Sequence, residues 1–271
     1  MSSSNLPYNF IEPNGKKVPF MLSIPHCGLQ FPSELQDRYI PEQTEFIDDT
    51  DFYLDRLYDF ASELGVTVIF AKYSRWVIDL NRDPNFTPLY DDGRLITELC
   101  PTTDFLGKDI YLNKEFLPND KEKQRRLREY FYPYHQKIDE VITELKNEFG
   151  KVIFWDGHSI RRNVETIQKE PFPDFILGNN DGKTADEKII NIALESLNSK
   201  DYKVNHNHPF KGGFLTRSKG NPTKNVHALQ LEMSKDLYMS KNETVYDETK
   251  AKVIKELLKQ TFERLIGEIL D

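Results

Sequence analysis

The sequence predicts an α/β fold, and three observations carry the prediction. Two short apolar runs, one ending near Ile24 and one from Val152 to Trp155, stop abruptly in titratable residues: His26 after the first, and Asp156, His158, Arg161 and Arg162 after the second. Buried strands of open α/β sheets end this way, because ligands bind beyond their carboxyl ends. Between Asp51 and Ala71 a helical spacing of apolar residues gives way to a partly β-branched run, which reads as the later part of a strand, helix, strand unit. Third, the stretches 119–149 and 247–269 carry apolar stripes at helical spacing.

Length and composition set the class. A chain of 271 residues with no Ser/Gly-rich linker is expected to form one domain over 1–271, with long active-site loops at about 81–118 and 163–183. Its 38% hydrophobic and 30% charged residues are ordinary for a soluble protein. No apolar run approaches the roughly 18 residues of a membrane span. The start, Met1 to Pro7, has neither a basic nor an apolar segment, so a cytoplasmic setting is expected. Cys27 and Cys100 are too few for a disulfide framework and read as reduced thiols. A net charge of −8 argues against nucleic acid or an anionic membrane as partner, while leaving room for a local basic pocket that takes a small anion.

Taken in order, residues 1–16 read as an irregular lead-in and 18–25 as the first strand, ending in the turn His26 to Gly28. Residues 31–46 read as loop with a short helix. Leu54, Leu57, Tyr58, Ala61 and Leu64 predict a helix capped near Asp51 and stopped by Gly65. Val66 to Ala71 and Trp76 to Leu80 read as strands. The proline-punctuated stretch 81–118 reads as a surface excursion. Asn119 or Asp120 caps a helix that runs to Phe149 before Gly150 and that Pro133 should kink. The strand at 152–155 leads into irregular chain up to Gly182. Thr184 to Glu187 has the form of a capping box ahead of a helix to about 198. Tyr202 to Asn205 reads as a short strand, Phe210 to Arg217 as a Gly-hinged strand or hairpin arm, and Val226 to Met233 as a strand with Gln230 and Glu232 on one face. A helix from Asp247 to about 269 closes the chain.

Several residues suit hydrolytic chemistry. A zinc site needs about three protein ligands, commonly two His and one carboxylate. His26 and His158 are the natural pair, and the cluster Asp48 to Asp51 offers the acid, Asp51 ahead of Asp49. The same residues also suit core histidines and a helix cap. Glu232, on a rigid strand, is placed to act as general base, or simply to face solvent from an edge. Arg75, Arg82, Arg161 and Arg217 fall at strand ends or turns, where a planar fork can grip a carboxylate or make a structural ion pair. Asn81 could add a hydrogen bond.

In unbroken order from about 20 to 235, eight blocks resemble the N-formylglutamate amidohydrolases. They include Ile24-Pro-His-Cys-Gly28, Asp49 to Tyr58, Tyr73-Ser-Arg-Trp-Val-Ile-Asp-Leu-Asn-Arg82, Leu99 to Thr103, Trp155-Asp-Gly-His-Ser-Ile-Arg161, Leu177 to Gly182, Phe210 to Arg217 and Leu229-Gln-Leu-Glu232. The resemblance implies a mixed central sheet flanked by helices, zinc-carboxypeptidase-like, with one Zn2+ per chain. It implies hydrolysis of N-formyl-L-glutamate to L-glutamate and formate, a step of histidine degradation. Carried onto this chain, it makes His26, Asp51 and His158 the metal ligands, Glu232 the catalytic residue, and Arg75, Asn81, Arg82, Arg161 and Arg217 the pool that binds an anionic small-molecule substrate. Leu29 stands where such sites often place a Glu three residues after the first His, and Cys27 where many relatives would have Ser. Hydrolysis of another N-acyl amino acid, or silent amino-acid binding on the same scaffold, are the alternative readings.

Overall fold

The computed structural model describes residues 6–85 and 97–271. In chain order their elements are β1 (Tyr8–Ile11), β2 (Phe20–Ile24), α1 (Pro41–Thr44), α2 (Leu54–Leu57), β3 (Thr67–Ala71), α3 (Asp120–Arg126), α4 (Tyr132–Phe149), β4 (Val152–Ile160), β5 (Phe175–Gly178), α5 (Glu187–Leu197), β6 (Val204–His206), α6 (Phe214–Lys219), β7 (Val226–Ser234) and α7 (Glu248–Leu270). The strands form one mixed sheet in the order β1-β3-β2-β4-β7-β5-β6. Four adjacent strands, β3, β2, β4 and β7, run parallel. β1 pairs antiparallel with β3, β5 pairs antiparallel with β7, and β6 runs parallel to β5.

Side chains alternate across the sheet and bury on both faces. Trp155, Leu229, Leu231 and Met233 pack with Ile190 and Ala193 of α5 and with Leu258 and Phe262 of α7. Phe154, Val226 and Ala228 pack on the other face with Ile138, Val141 and Leu145 of α4. β2 and β4 are buried throughout, which explains their near-continuous apolar beginnings. Among the described residues no helix is long and apolar enough to cross a membrane.

The long predicted helix begins with Asn119 accepting a hydrogen bond from Glu122 N at 3.0 Å and ends at Gly150 in the left-handed region. The kink expected at Pro133 takes the form of a π-helical turn over Leu127–Phe131, just before the proline. The ring has no N–H to donate and crowds the preceding turn, so the helix widens there.

Other expectations give way. The helix predicted from Asp51 to Gly65 is only α2 plus a 3-10 turn at Ser62–Leu64. Tyr53, at φ 62°, turns the chain into α2, and Asp51 spends its carboxylate on His158 rather than on a helix end. Trp76 to Leu80 is a string of turns, apolar because it is buried and not because it is a strand. β4 does not stop at Trp155: it continues to Ile160 and carries Asp156 and His158 within it. β1 and β5 lie in stretches read as irregular; both are only 4 residues long, too short for a periodic signal. Phe214 to Lys219 is helix α6, not a hairpin arm, with Gly212 at φ 113° turning the chain ahead of it. The predicted capping box does not form, because Thr184 Oγ1 donates to Ala228 O at 2.8 Å and Asp186 is the residue before α5. Of the stretch 81–118, residues 86–96 lie outside the described residues, while Leu99, Cys100, Ile110 and Tyr111 join the core, so that part is no surface excursion.

Candidate active site

Parallel pairing sets Ser23 of β2 level with Asp156 of β4, so His26, just past the end of β2, arrives beside His158 within β4. The two imidazole rings lie 4.9 Å apart between centroids. Asp51 comes up between them from the turn before α2, where its N–H donates to His26 O at 3.0 Å. Its Oδ2 is 3.1 Å from His158 Nδ1 and 3.8 Å from His26 Nδ1. One donor atom from each of the three residues lies within 4.8 Å of the others, and all three are buried.

The far side of each ring is held by a second buried carboxylate. Asp79 Oδ1 lies 2.7 Å from His26 Nε2. Asp156 Oδ1 stands 3.1 Å from His158 Nε2, at ion-pair distance, though this oxygen accepts no hydrogen bond. Asn81 Nδ2 is 2.9 Å from the same nitrogen. Two imidazoles and a carboxylate converging by their inner atoms, with each outer ring nitrogen facing an acid, is the donor set and backing that a divalent ion such as zinc takes. The residues therefore fit a metal. Asp49 does not share in this group, because its carboxylate accepts from Trp76 Nε1 and Phe105 N, both at 3.0 Å.

The two histidines differ in their electrostatic surroundings. Burial, aided by the Arg75 charge, pushes His26 down to about 4. Burial works the same way on His158, but Asp156 and Glu232 overcome it and hold this ring well above the usual imidazole range. A cation that binds here has to displace that proton.

Glu232 lies opposite His158 in the β4 and β7 register. It is half-buried among polar groups, and the water it loses there raises its carboxyl to about 8, with Asp51 and Asp156 adding to the rise against the pull of His158. Gln230, two residues earlier on the same face, aims it. Gln230 Oε1 accepts from Gly213 N at 2.6 Å, which leaves its Nε2 to donate to Glu232 Oε1 at 3.0 Å.

The structure separates the five predicted polar binders. Arg75 is buried, donating to Asp79 Oδ2 at 2.5 Å and to Asp49 O at 3.3 Å, so it neutralises the acid behind His26. Asn81 accepts from Leu215 N at 2.7 Å and thereby ties α6 to His158. Arg82 donates to Thr97 O at 3.1 Å and stands 3.7 Å from Asp79. Arg161 bridges Asp48 at 2.9 Å and Glu243 at 2.8 Å, at the rim. Arg217 donates to Gly212 O at 2.8 Å. Asn81 thus meets His158 directly and Arg75 reaches His26 through Asp79, whereas Arg161 and Arg217 brace the surroundings.

Sequence reasoning passed over Asp156 and Gln230 as working parts, and Lys235 altogether. Their signal was parity: Asp156 and Gln230 share a strand face with His158 and Glu232. Lys235, one residue beyond β7, had none.

A sequence model described as N-formylglutamate amidohydrolase matches residues 18–239. The chain is 36% identical over 257 residues to an N-formylglutamate deformylase of Pseudomonas putida, covering 93% of both chains. It is 37% identical over 254 residues to one of Pseudomonas aeruginosa, covering 93% of this chain and 94% of that protein. Among solved structures it resembles an N-formylglutamate amidohydrolase from Ralstonia eutropha JMP134, with a TM-score of 0.80 and 27% identity over 97% of this chain and 98% of the other.

Proposed function

Since this chain belongs to the N-formylglutamate amidohydrolase family, we propose that it hydrolyses N-formyl-L-glutamate to L-glutamate and formate. The observation that carries the reading is the convergence of His26, Asp51 and His158 with Glu232 one strand away. We assign the three as ligands of one zinc ion. Bound there, zinc supplies Lewis acidity toward an amide oxygen and lowers the pKa of water.

The chain's own residues do the rest. Glu232 takes a proton from the attacking water and returns it to the departing amine, a role for which a carboxylate on a rigid strand, opposite His158 and aimed by Gln230, is placed. Gln230 fixes which oxygen of Glu232 remains open. Asp79 and Asp156 orient the two rings, and Arg75 keeps Asp79 ionised. The carboxylates of the substrate fall to cations around the site, for which Arg75, Arg82, Arg161 and Arg217 remain candidates.

We further propose a single catalytic domain over 1–271, a zinc-carboxypeptidase-like arrangement of the sheet, and a cytoplasmic role in histidine degradation. The unpaired, buried Cys27 and Cys100 suit a reducing compartment. Glutamate release from the N-formyl, N-acetyl and N-succinyl derivatives of glutamate, with and without chelator, tests the reading. It expects chelator-sensitive turnover of the formyl compound foremost; turnover of another acyl compound alone would replace the substrate.

A further inference from the structure

Lys235 follows the last residue of β7 and is only 2% exposed. Its Nζ donates to the main-chain oxygen of Asp48 at 2.6 Å and stands 5.5 Å from the centre of the Phe52 ring. An ammonium has three hydrogens to donate, and burying one is unfavourable unless an anion compensates. Among the described residues, no carboxylate pairs with it. Each acid nearby is turned to another donor: Asp48 and Glu243 to Arg161, Asp49 to Trp76 and Phe105, Asp51 to His158.

Lys235 lines a cleft together with Asp48, Phe105, Ser159 and Arg161. Asp49, two residues before Asp51, and Ser159, next after His158 in β4, both line it, so the cleft is walled by the chain segments that carry two of the three converging residues, at the carboxyl ends of β4 and β7. A buried cation with spare donors, beside a reacting centre and facing a cleft, awaits a negative group brought by a ligand. We propose that Lys235 is the positioning cation that binds one carboxylate of an N-acyl dicarboxylic amino acid, with Arg161 at the rim of the same cleft. This rests on the hydrolase reading above. It adds a specificity determinant, one that favours an acidic amino acid over a neutral one.

The rival role for Lys235 is to fasten the Asp48 to Asp51 turn through Asp48 O, which would affect every substrate alike. Wild type, Lys235→Met and Lys235→Gln are assayed on N-formylglutamate and on its two mono-amides, N-formylglutamine and N-formylisoglutamine. The apolar variant keeps the length of the chain and the packing on Phe52, and the polar one guards against a folding defect in the first. The expected result is a KM for N-formylglutamate raised on the order of 30-fold in both variants. At the same time kcat stays within about threefold, and one mono-amide is hydrolysed equally by wild type and variants. The same fold loss on all three compounds overturns the assignment and leaves the hydrolase reading intact. Failure of wild type to hydrolyse N-formylglutamate overturns that reading, and the assignment with it.

Discussion

His26 and Asp79 are joined by a buried hydrogen bond of 2.7 Å, and the other oxygen of Asp79 holds Arg75 at 2.5 Å. An imidazole, the acid that orients it and the guanidinium that keeps that acid ionised thus form one chain of polar groups, all of it inside the protein. Burial alone would raise Asp79, but Arg75 and Arg82 hold it well below the usual carboxylate range.

Removing that middle link should be costly in two ways. Asp79→Ala leaves Arg75 buried without its acid and should destabilise the fold by about 3–5 kcal/mol. The milder Asp79→Asn should fold and bind zinc about 10–100-fold more weakly. Zinc titration of the metal-free Asn variant checks this; unchanged affinity would remove Asp79 from the backing of His26.

Glu232→Gln should keep its zinc and lose about 100-fold or more in kcat, because the amide cannot shuttle a proton. Gln230→Leu should lose less, on the order of tenfold, since Glu232 remains but is no longer aimed, and Gly213 N loses its acceptor. Steady-state kinetics and metal content of the two variants decide; a larger kcat loss in the Gln230 variant than in the Glu232 variant would reverse the roles.

Gly213 bears on the site through contact distance. A Cβ there would come within 2.4 Å of Asn81 Nδ2, and Asn81 is pinned by Leu215 N and faces His158. Gly213→Ala should therefore push Asn81 away from the ring, lowering kcat while costing about 1–3 kcal/mol of stability. Wild-type kinetics in this variant would mean that Asn81 does not matter to His158.

His135 gives a pH signature away from the reaction. Its ring stacks 4.0 Å from Phe131 and its Nε2 donates to Leu80 O at 2.9 Å, and burial, then the Lys219 charge, push it down to about 3. Between about 6.5 and 3 the unfolded chain binds this proton and the folded chain does not, so stability is lost as pH falls through that window. Thermal melts of wild type and His135→Gln should differ less, or reverse in order, at pH 4.5 compared with pH 7. A gap that stays constant with pH would contradict the assignment.

How much of this was legible beforehand depended on period and on length. The α4 stripe, the Asn119 cap and the β7 face are regular over enough residues to read, and the structure bears them out. β4 was cut short at Trp155 because Asp156 and His158 look like loop residues, yet they are buried where Asp51, Asn81 and Glu232 surround them. The same confusion turned Trp76 to Leu80 into a strand: buried turns and buried strands share a composition. The candidate site was readable as residue types at strand ends, and as family blocks. Which arginine faces which acid was not, because Arg161 meets Asp48 and Glu243 across 113 and 82 residues of chain.

His26, Asp51 and His158 are assigned to one shared ion, and zinc content tests this most directly. Wild-type protein and His158→Ala are stripped with chelator, incubated with excess zinc, desalted and analysed by elemental mass spectrometry. About one zinc per chain in wild type and well under half that in the variant is the predicted result. Equal occupancy in the two proteins would contradict it.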